Sequence, residues 1–286
     1  MIDLHTHTDE SDGTLSPGEL VEAAQWIGLE ALGISDHDTF AGYDLAAPRA
    51  REAGLDLICG IELSTKWRRP GGSRNRSIHV LGYFLDTPPT VEFRDWLESI
   101  RAARRDRNRR LAARLQALGM AVTLEEVEQL GKSLAGRPHF ARLLMDKGYV
   151  TSIQEAFERY LAEGGAAYVE RDEPSIEEGI RRISEAGGLP SLAHPVRITR
   201  NAAAMREALR EMCGMGLRAI EVYHSDHGPH DVDLYLDLAG RYGLAITGGT
   251  DFHGANKPGL ELGVGYGNVA VPRELLDFLR ASAVKQ

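Results

Sequence analysis

Cysteine is scarce in this chain: there are two in 286 residues, Cys59 in an apolar strand-like run and Cys213 in a helical stretch, and neither belongs to a C-x-x-C pair. That excludes a disulfide framework and makes a reducing compartment, the cytoplasm, the expected location. Positive charge is in deficit, with 33 Lys and Arg against 42 Asp and Glu and a net charge of −9. Surfaces that coat long nucleic acid or a bilayer are normally basic, so blanket binding of either kind is not expected; a local basic pocket for a small anion is still allowed. No apolar run approaches the length of a membrane span. The first candidate functional residue is already His5, so no removable targeting segment is expected. Internal repeats and low-complexity tracts are also lacking, and the aromatic residues are scattered with no evident base-stacking set.

At 43% hydrophobic, the chain can form one large core and a smaller appended unit. A short strand ends near His7. Ser16, Pro17 and Glu19 then give the N-cap, first-turn proline and capping box of a helix. Strand-like runs follow at 31–35, 56–63 and 78–84, with a helix to about Ala53 between the first two and an exposed, arginine-rich loop at 68–76 before the third. From 91 to 167 the alternation stops. That stretch reads as an all-helical insertion lying over one end of the sheet, with a long arginine-rich helix near 92–118 and shorter ones at 124–130, 138–147 and 153–163. The β/α rhythm then resumes, with a helix after Pro174, a strand into His194, helix 201–215, strand 219–224, a helix near 231–242, a strand into Asp251 and a last helix from Arg273. About seven β/α units can be counted, so the expected fold is α/β: a distorted (β/α)7 barrel formed by 1–90 and 168–286, with an inserted helical subdomain.

The chemistry is carried by His, Asp and Glu. His5 and His7, one residue apart on a strand, point to the same face. Asp12, His37, Glu62, His79, His194, Asp251 and His253 mostly follow buried strand-like runs. A (β/α) barrel builds a site from distant segments by placing residues at strand C-termini in this way. A lone histidine at a strand end is more often structural, and Asp12-Gly13 alone would be a turn, but nine candidate N/O ligands at corresponding places make a multinuclear metal hydrolase the reading. With no thiolates the set suits Mn²⁺ first, then Zn²⁺ or Fe²⁺. Glu62 is the natural bridge, one oxygen for each of two cations.

These residues, as His5-x-His7, Asp12, Asp36-His37, Glu62, His79, Ala193-His194-Pro195 and Asp251-x-His253, resemble the four motifs of the PHP (polymerase and histidinol phosphatase) family. The resemblance implies a distorted (β/α)7 barrel, a site for three divalent ions and phosphoester cleavage. It implies that His5, His7, Glu62 and Asp251 hold the first metal, that Glu62, His79 and His194 hold the second, and that Asp12, His37 and His253 hold the third. Asp12 stands where other members place a histidine, so the third site departs from the pattern.

The insertion, Gly136-Arg137-Pro138-His139-Phe140 and His194-Pro195-Val196-Arg197 together resemble the subgroup that converts 3′,5′-bisphosphorylated nucleosides to the 5′-monophosphate; some of its relatives trim short RNA from the 5′ end. A guanidinium at Arg197 presents a planar fork to phosphate. Arg137, at a helix start, suits a second anion. His139 is a substrate-contact candidate that could equally pack inside the insertion. Arg101, Arg104, Arg105, Arg107, Arg109 and Arg110 read most simply as a solvated helix face; the sharper reading is an electrostatic funnel in which Asn108 touches the ligand. His224, at a strand end, is a candidate for a phosphate contact or for protonating the leaving oxygen, Asp251 for accepting the water proton, and Lys257 for facing the site. The expected partner is a small nucleotide, with short RNA 5′ ends as the alternative; oligomeric state is not specified. Competing readings are a 5′→3′ exonuclease, a histidinol-phosphate or broad small-molecule phosphatase, and a non-catalytic interaction module. The complete ligand set argues against the last.

Overall fold

In the computed structural model, which describes residues 1–68, 75–131, 135–170 and 173–283, the apolar runs form one seven-stranded sheet with its strands in chain order. They are β1 (Ile2–Thr6), β2 (Ala31–Ile34), β3 (Asp56–Arg68), β4 (Asn75–Phe84), β5 (Leu189–Leu192), β6 (Ala219–Tyr223) and β7 (Ala245–Gly248). β1, β2 and β3 pair in parallel, as do β5, β6 and β7. The chain leaving β7 bonds to β1: Asp251 N–H donates to His5 O at 2.8 Å, and His7 N–H to Phe252 O at 2.9 Å. The sheet ends therefore meet, as in a distorted barrel.

The parallel rhythm expected throughout the sheet fails at β4, which is antiparallel to both β3 and β5. A parallel neighbour needs a crossover of about a dozen residues or more, and only 69–74 separate β3 from β4. The arginine-rich stretch read as a loop is largely those residues, which lie outside the described ones; Arg68 itself ends β3, and Asn75 and Arg76 begin β4. Because β4 runs backwards, its beginning lies beside the latter half of β3, and His79 pairs with Ser64, two residues beyond Glu62.

Helices α1 (Pro17–Trp26) and α2 (Ala41–Ala53) cover β2. Ser16 and Glu19 form the expected capping box. Leu20, Val21, Ala24, Ala46 and Ala50 pack with Leu32 and Ile34, each large aliphatic side chain contributing about 1.5–3 kcal/mol on burial. A second cluster lines β1, β4 and β6 through Ile2, Leu4, Leu81, Tyr83 and Ala219.

The chain divides into two compact units, Met1–Asp95 with Pro174–Gln286, and Trp96–Glu173. The boundaries lie five to six residues beyond the 91–167 read from sequence, for packing reasons. Helix α3 (Val91–Ala117) begins in the barrel unit, where Phe93 packs 5.8 Å from Phe84 and Arg94 pairs with Asp44 at 2.7 Å. At the other end, Ala167 and Val169 belong to the helical unit's core. That unit contains the rest of α3, then α4 (Leu124–Gly131), α5 (Arg137–Asp146) and α6 (Ile153–Ala156). The helix expected at 153–163 gives way to a π turn at Phe157–Leu161. Back in the barrel unit come α7 (Ile176–Glu185), α8 (Ala202–Gly214), α9 (Pro229–Tyr242) and α10 (Arg273–Ala283). Among the described residues no helix is long and apolar enough to cross a membrane.

The backbone just after β7 passes close against β1. A Cβ on Gly249 would lie 2.3 Å from His5 N and 2.5 Å from His5 Cβ, contacts that backbone cannot yield without displacing the strand. Gly249→Ala is therefore expected to destabilise the protein by about 1–3 kcal/mol, read as a lower Tm; an unchanged Tm would show that the two segments separate freely.

Candidate metal centre

Backbone pairing beyond the strand ends carries the candidate ligands to one place. Glu62 N–H donates to Asp36 O and Asp38 N–H to Glu62 O, each at 3.2 Å, which sets His37 beside Glu62. Ala193 N–H donates to His79 O at 3.2 Å, bringing His194 to the same rim. Of the non-glycine residues described, Asp38, His194 and Asp251 have positive φ, at 53°, 28° and 58°. Such left-handed backbone costs energy and clusters at functional sites; two of these three are candidate ligands.

Glu62 is the hub. His79 Nδ1 and His194 Nε2 lie 2.8 and 2.7 Å from its Oε1. His5, His7 and His37 place Nε2 at 3.3, 3.1 and 3.3 Å from Oε2. Asp251 is a second hub: Oδ1 faces His5, His7 and His253 at 3.5, 3.3 and 3.4 Å. Its Oδ2 meets Arg197 at 2.9 Å, His224 Nε2 at 3.4 Å and the Lys257 ammonium. Asp12 Oδ1 is 3.2 Å from His253 Nε2 and its Oδ2 3.8 Å from His37 Nε2. All nine sequence-predicted ligands thus gather in the barrel unit. Those that can converge on a cation include His5, His7, Glu62 and Asp251; His37, Glu62 and His79; and His7, Asp12, His37 and His253. In the last group His7 Nδ1 lies 3.6 Å from Asp12 Oδ1, so Asp12 sits against a ring whose other nitrogen faces Glu62.

The electrostatics suit cations. Burial opposes ionisation of Glu62, but His37, His79 and His5 hold it well below the usual carboxylate range. Burial likewise opposes ionisation of Asp251, which His5, His224 and His7 overcome. Burial pushes His37 and His194 down to about 4 despite Glu62, which leaves neutral rings with a lone pair free for a metal. Burial also resists charging His7, yet the carboxylates of Asp251, Glu62 and Asp12 around it raise it to about 9. The Nε2 atoms of His5 and His7 are buried without a hydrogen-bond partner, an arrangement otherwise costly to maintain. Imidazole and carboxylate donors converging on orphaned nitrogens fit divalent metals.

Arg197, expected to meet phosphate, donates from Nε to Asp226 Oδ2 at 2.8 Å while its other arm reaches Asp251. His224 is fixed by Asp226 N–H, which donates to its Nδ1 at 2.9 Å. The neutral ring therefore carries its proton on Nε2, the nitrogen facing Asp251.

Arg137, His139 and Asn108 belong to the helical unit. Arg137 opens α5, as the sequence indicated, with its guanidinium 5.9 Å from the Tyr168 ring centre. His139 acts locally, its Nδ1 accepting Gly136 N–H at 3.2 Å and so capping α5. Asn108 is buried, donates to Ala135 O at 2.7 Å, and lines a cavity of about 520 Å³ together with Arg101, Arg104 and Arg105. Glu98 and Glu128 line the same cavity. Arg101 pairs with Glu98, Arg105 with Glu128, and Arg109 and Arg110 with Asp106, while Arg104 and Arg107 are buried. Four of the six arginines thus have acidic partners within their own unit.

Sequence reasoning missed Glu221 and Asp226, and gave Asp3 and Asp36 no role. Asp36 accepts from Thr8 N–H, the Thr8 hydroxyl and the Ser11 hydroxyl at 2.6–2.7 Å, shaping the turn that carries Asp12. Asp3 accepts from Thr250 N–H at 2.9 Å and from its hydroxyl, which anchors the segment before Asp251. For Asp3, Asp36 and Glu221 the available signal was a carboxylate inside or soon after an apolar strand run, a place where charge is rarely buried without a partner.

The family model described as "PHP domain" matches residues 3–170. The chain is 31% identical over 264 residues to a 3′,5′-nucleoside bisphosphate phosphatase of Chromobacterium violaceum, covering 92% of this chain and 90% of that one. It is 33% identical over 252 residues to a 5′-3′ exoribonuclease of Haemophilus influenzae, covering 88% and 89%. Among solved structures it resembles one from Bifidobacterium adolescentis described as a metal-dependent phosphoesterase, with TM-score 0.76, 31% identity and coverage of 98% and 95%.

Proposed function

The chain belongs to the PHP domain family and is a metal-dependent phosphoesterase, and from that premise we propose that it removes the 3′-phosphate from 3′,5′-bisphosphonucleosides. Three divalent ions, Mn²⁺ by preference, would be held by His5, His7, Glu62 and Asp251; by Glu62, His79 and His194; and by Asp12, His37 and His253. The observation that carries the reading is Glu62, whose two oxygens face separate sets of imidazoles while cationic side chains meet at the adjacent Asp251.

Divalent ions in such a centre neutralise phosphoryl oxygens and acidify water to near-neutral pKa. The chain's own residues do the rest. Arg197 and Lys257, now paired with Asp251, offer N–H donors to the phosphate as charge develops. Asp251 accepts the proton of the attacking water. His224 donates its Nε2 proton to the departing 3′ oxygen as the P–O bond breaks, and Asp226 N–H keeps that tautomer in place. Arg137 is assigned to the second phosphate, because the first turn of a helix favours an anion.

Similarity to the bisphosphate phosphatase along nearly its whole length supports this substrate, and the net charge of −9 disfavours long nucleic acid. The second reading, 5′→3′ trimming of short RNA, is favoured by the comparable likeness to the exoribonuclease. Phosphate release by Mn²⁺-loaded protein decides between them, with adenosine 3′,5′-bisphosphate, 5′-AMP, 3′-AMP, histidinol phosphate and a 5′-phosphorylated dinucleotide compared. The expected result is the highest kcat/KM for the bisphosphate with 5′-AMP as product. Faster turnover of the dinucleotide would make the protein a nuclease, and preference for histidinol phosphate would remove the second-anion role of Arg137.

A further inference from the structure

Glu221 is the third residue of β6 and is fully buried. Its two oxygens serve different strands. Oε1 lies 2.7 Å from His5 Nδ1 on β1, and Oε2 accepts the backbone N–H of His194, just beyond β5, at 2.6 Å. His194 is the residue held at φ 28°.

We propose that Glu221 is a positioning residue of the metal centre, one carboxylate that fixes the ring of His5 and the strained backbone of His194 together. The inference rests on reading the His/Asp/Glu cluster as a metal centre. An ionised carboxylate only accepts hydrogen bonds, so its contact with His5 requires the proton on Nδ1. The Nε2 lone pair is then directed at Glu62 and Asp251, 3.3 and 3.5 Å away. A carboxylate behind a ligating imidazole also raises its basicity. On the other oxygen, the bond to His194 N–H offsets the cost of left-handed backbone and aims Nε2 at Glu62 Oε1, 2.7 Å away. Glu221 faces two donors, the His5 ring N–H and the His194 backbone N–H, which suits an ionised carboxylate with one acceptor oxygen for each. The nearness of His5, Glu221 and His224 does not make a further cation site. Both Glu221 oxygens are engaged, and His224 Nδ1 accepts Asp226 N–H.

Glu221→Gln separates this role from bulk. An amide has one acceptor oxygen, whereas His5 Nδ1–H and His194 N–H are both donors, so one contact is lost with little change in volume. Mn²⁺ titration by calorimetry with metal analysis should show about 10–100-fold weaker binding, with kcat falling more than KM and the metal-free Tm moving little. Ser191→Ala is the control, because Ser191 is buried on the neighbouring strand β5 and its hydroxyl bonds Thr247 rather than a candidate ligand. Equal loss of metal in both variants, or wild-type affinity in Glu221→Gln, overturns the inference. If Glu221→Gln does not fold, long-range ¹⁵N–¹H spectra of the wild-type protein decide. The His5 ring must keep a proton on Nδ1 through titration with diamagnetic Zn²⁺, and loss of that proton rejects the role. A wild-type chain that takes up no metal would instead refute the metal-centre reading itself.

Discussion

Glu62→Gln is expected to lower kcat/KM by about 10³-fold or more, since on the proposed reading this carboxylate would hold two cations and its loss would remove several kcal/mol of charge stabilisation. The substitution keeps the size of the side chain and removes its charge. Glu62 is the anion shared by His5, His7, His37, His79 and His194. An amide can offer one oxygen, so at most one of the two sets of imidazoles keeps its partner. The loss should therefore appear as lost metal as well as lost turnover. Metal analysis after desalting, alongside kcat/KM at saturating Mn²⁺, provides the check. A variant with full metal content and activity within about tenfold of wild type would mean that Glu62 does not bridge.

Asp251→Asn is the second, with an expected fall in kcat of about 10²–10³-fold, the scale of removing a general base. Asp251 touches both sides of the chemistry. Oδ1 faces His5, His7 and His253, while Oδ2 faces Arg197, His224 and Lys257. The amide keeps the shape but cannot take up a water proton. Substrates with a good leaving group, such as an aryl phosphate, should lose as much as the nucleotide. His224→Gln is the contrast. If His224 protonates the leaving oxygen, its loss should be severe for the nucleotide and slight for the aryl phosphate. Equal losses on both substrates would leave His224 as a binding residue only.

Much of the centre was legible because its chemistry is concentrated in few residue types. Imidazoles and carboxylates directly after apolar runs are unusual, and nine of them in corresponding places point to one rim of one sheet. The nine do gather, and backbone pairing such as Glu62 N–H to Asp36 O and Asp251 N–H to His5 O explains why. His79 was legible as a ligand candidate but not as a residue on a reversed strand. An apolar run reads the same in either direction; only the shortness of 69–74 forces β4 to turn back.

Charge was the least legible quantity. The arginines of α3 appear in sequence as a positive run, yet Arg101, Arg105, Arg109 and Arg110 pair with Glu98, Glu128 and Asp106. Arg197 lies beside the centre, where it pairs with Asp226 and Asp251, side chains carried by separate loops.

By itself, then, the sequence determined the ligand types, the strand-end periodicity that collects them, the helical interruption and the absence of a disulfide framework. These depend on local pattern and composition. Only the tertiary structure decided the reversal of β4, the split of Glu62 between two imidazole sets, the tautomer of His224 and the bonds of Glu221 to His5 and His194. Those depend on side chains from strands far apart in sequence, and a hydrogen bond has direction and partner only once both ends are placed in space.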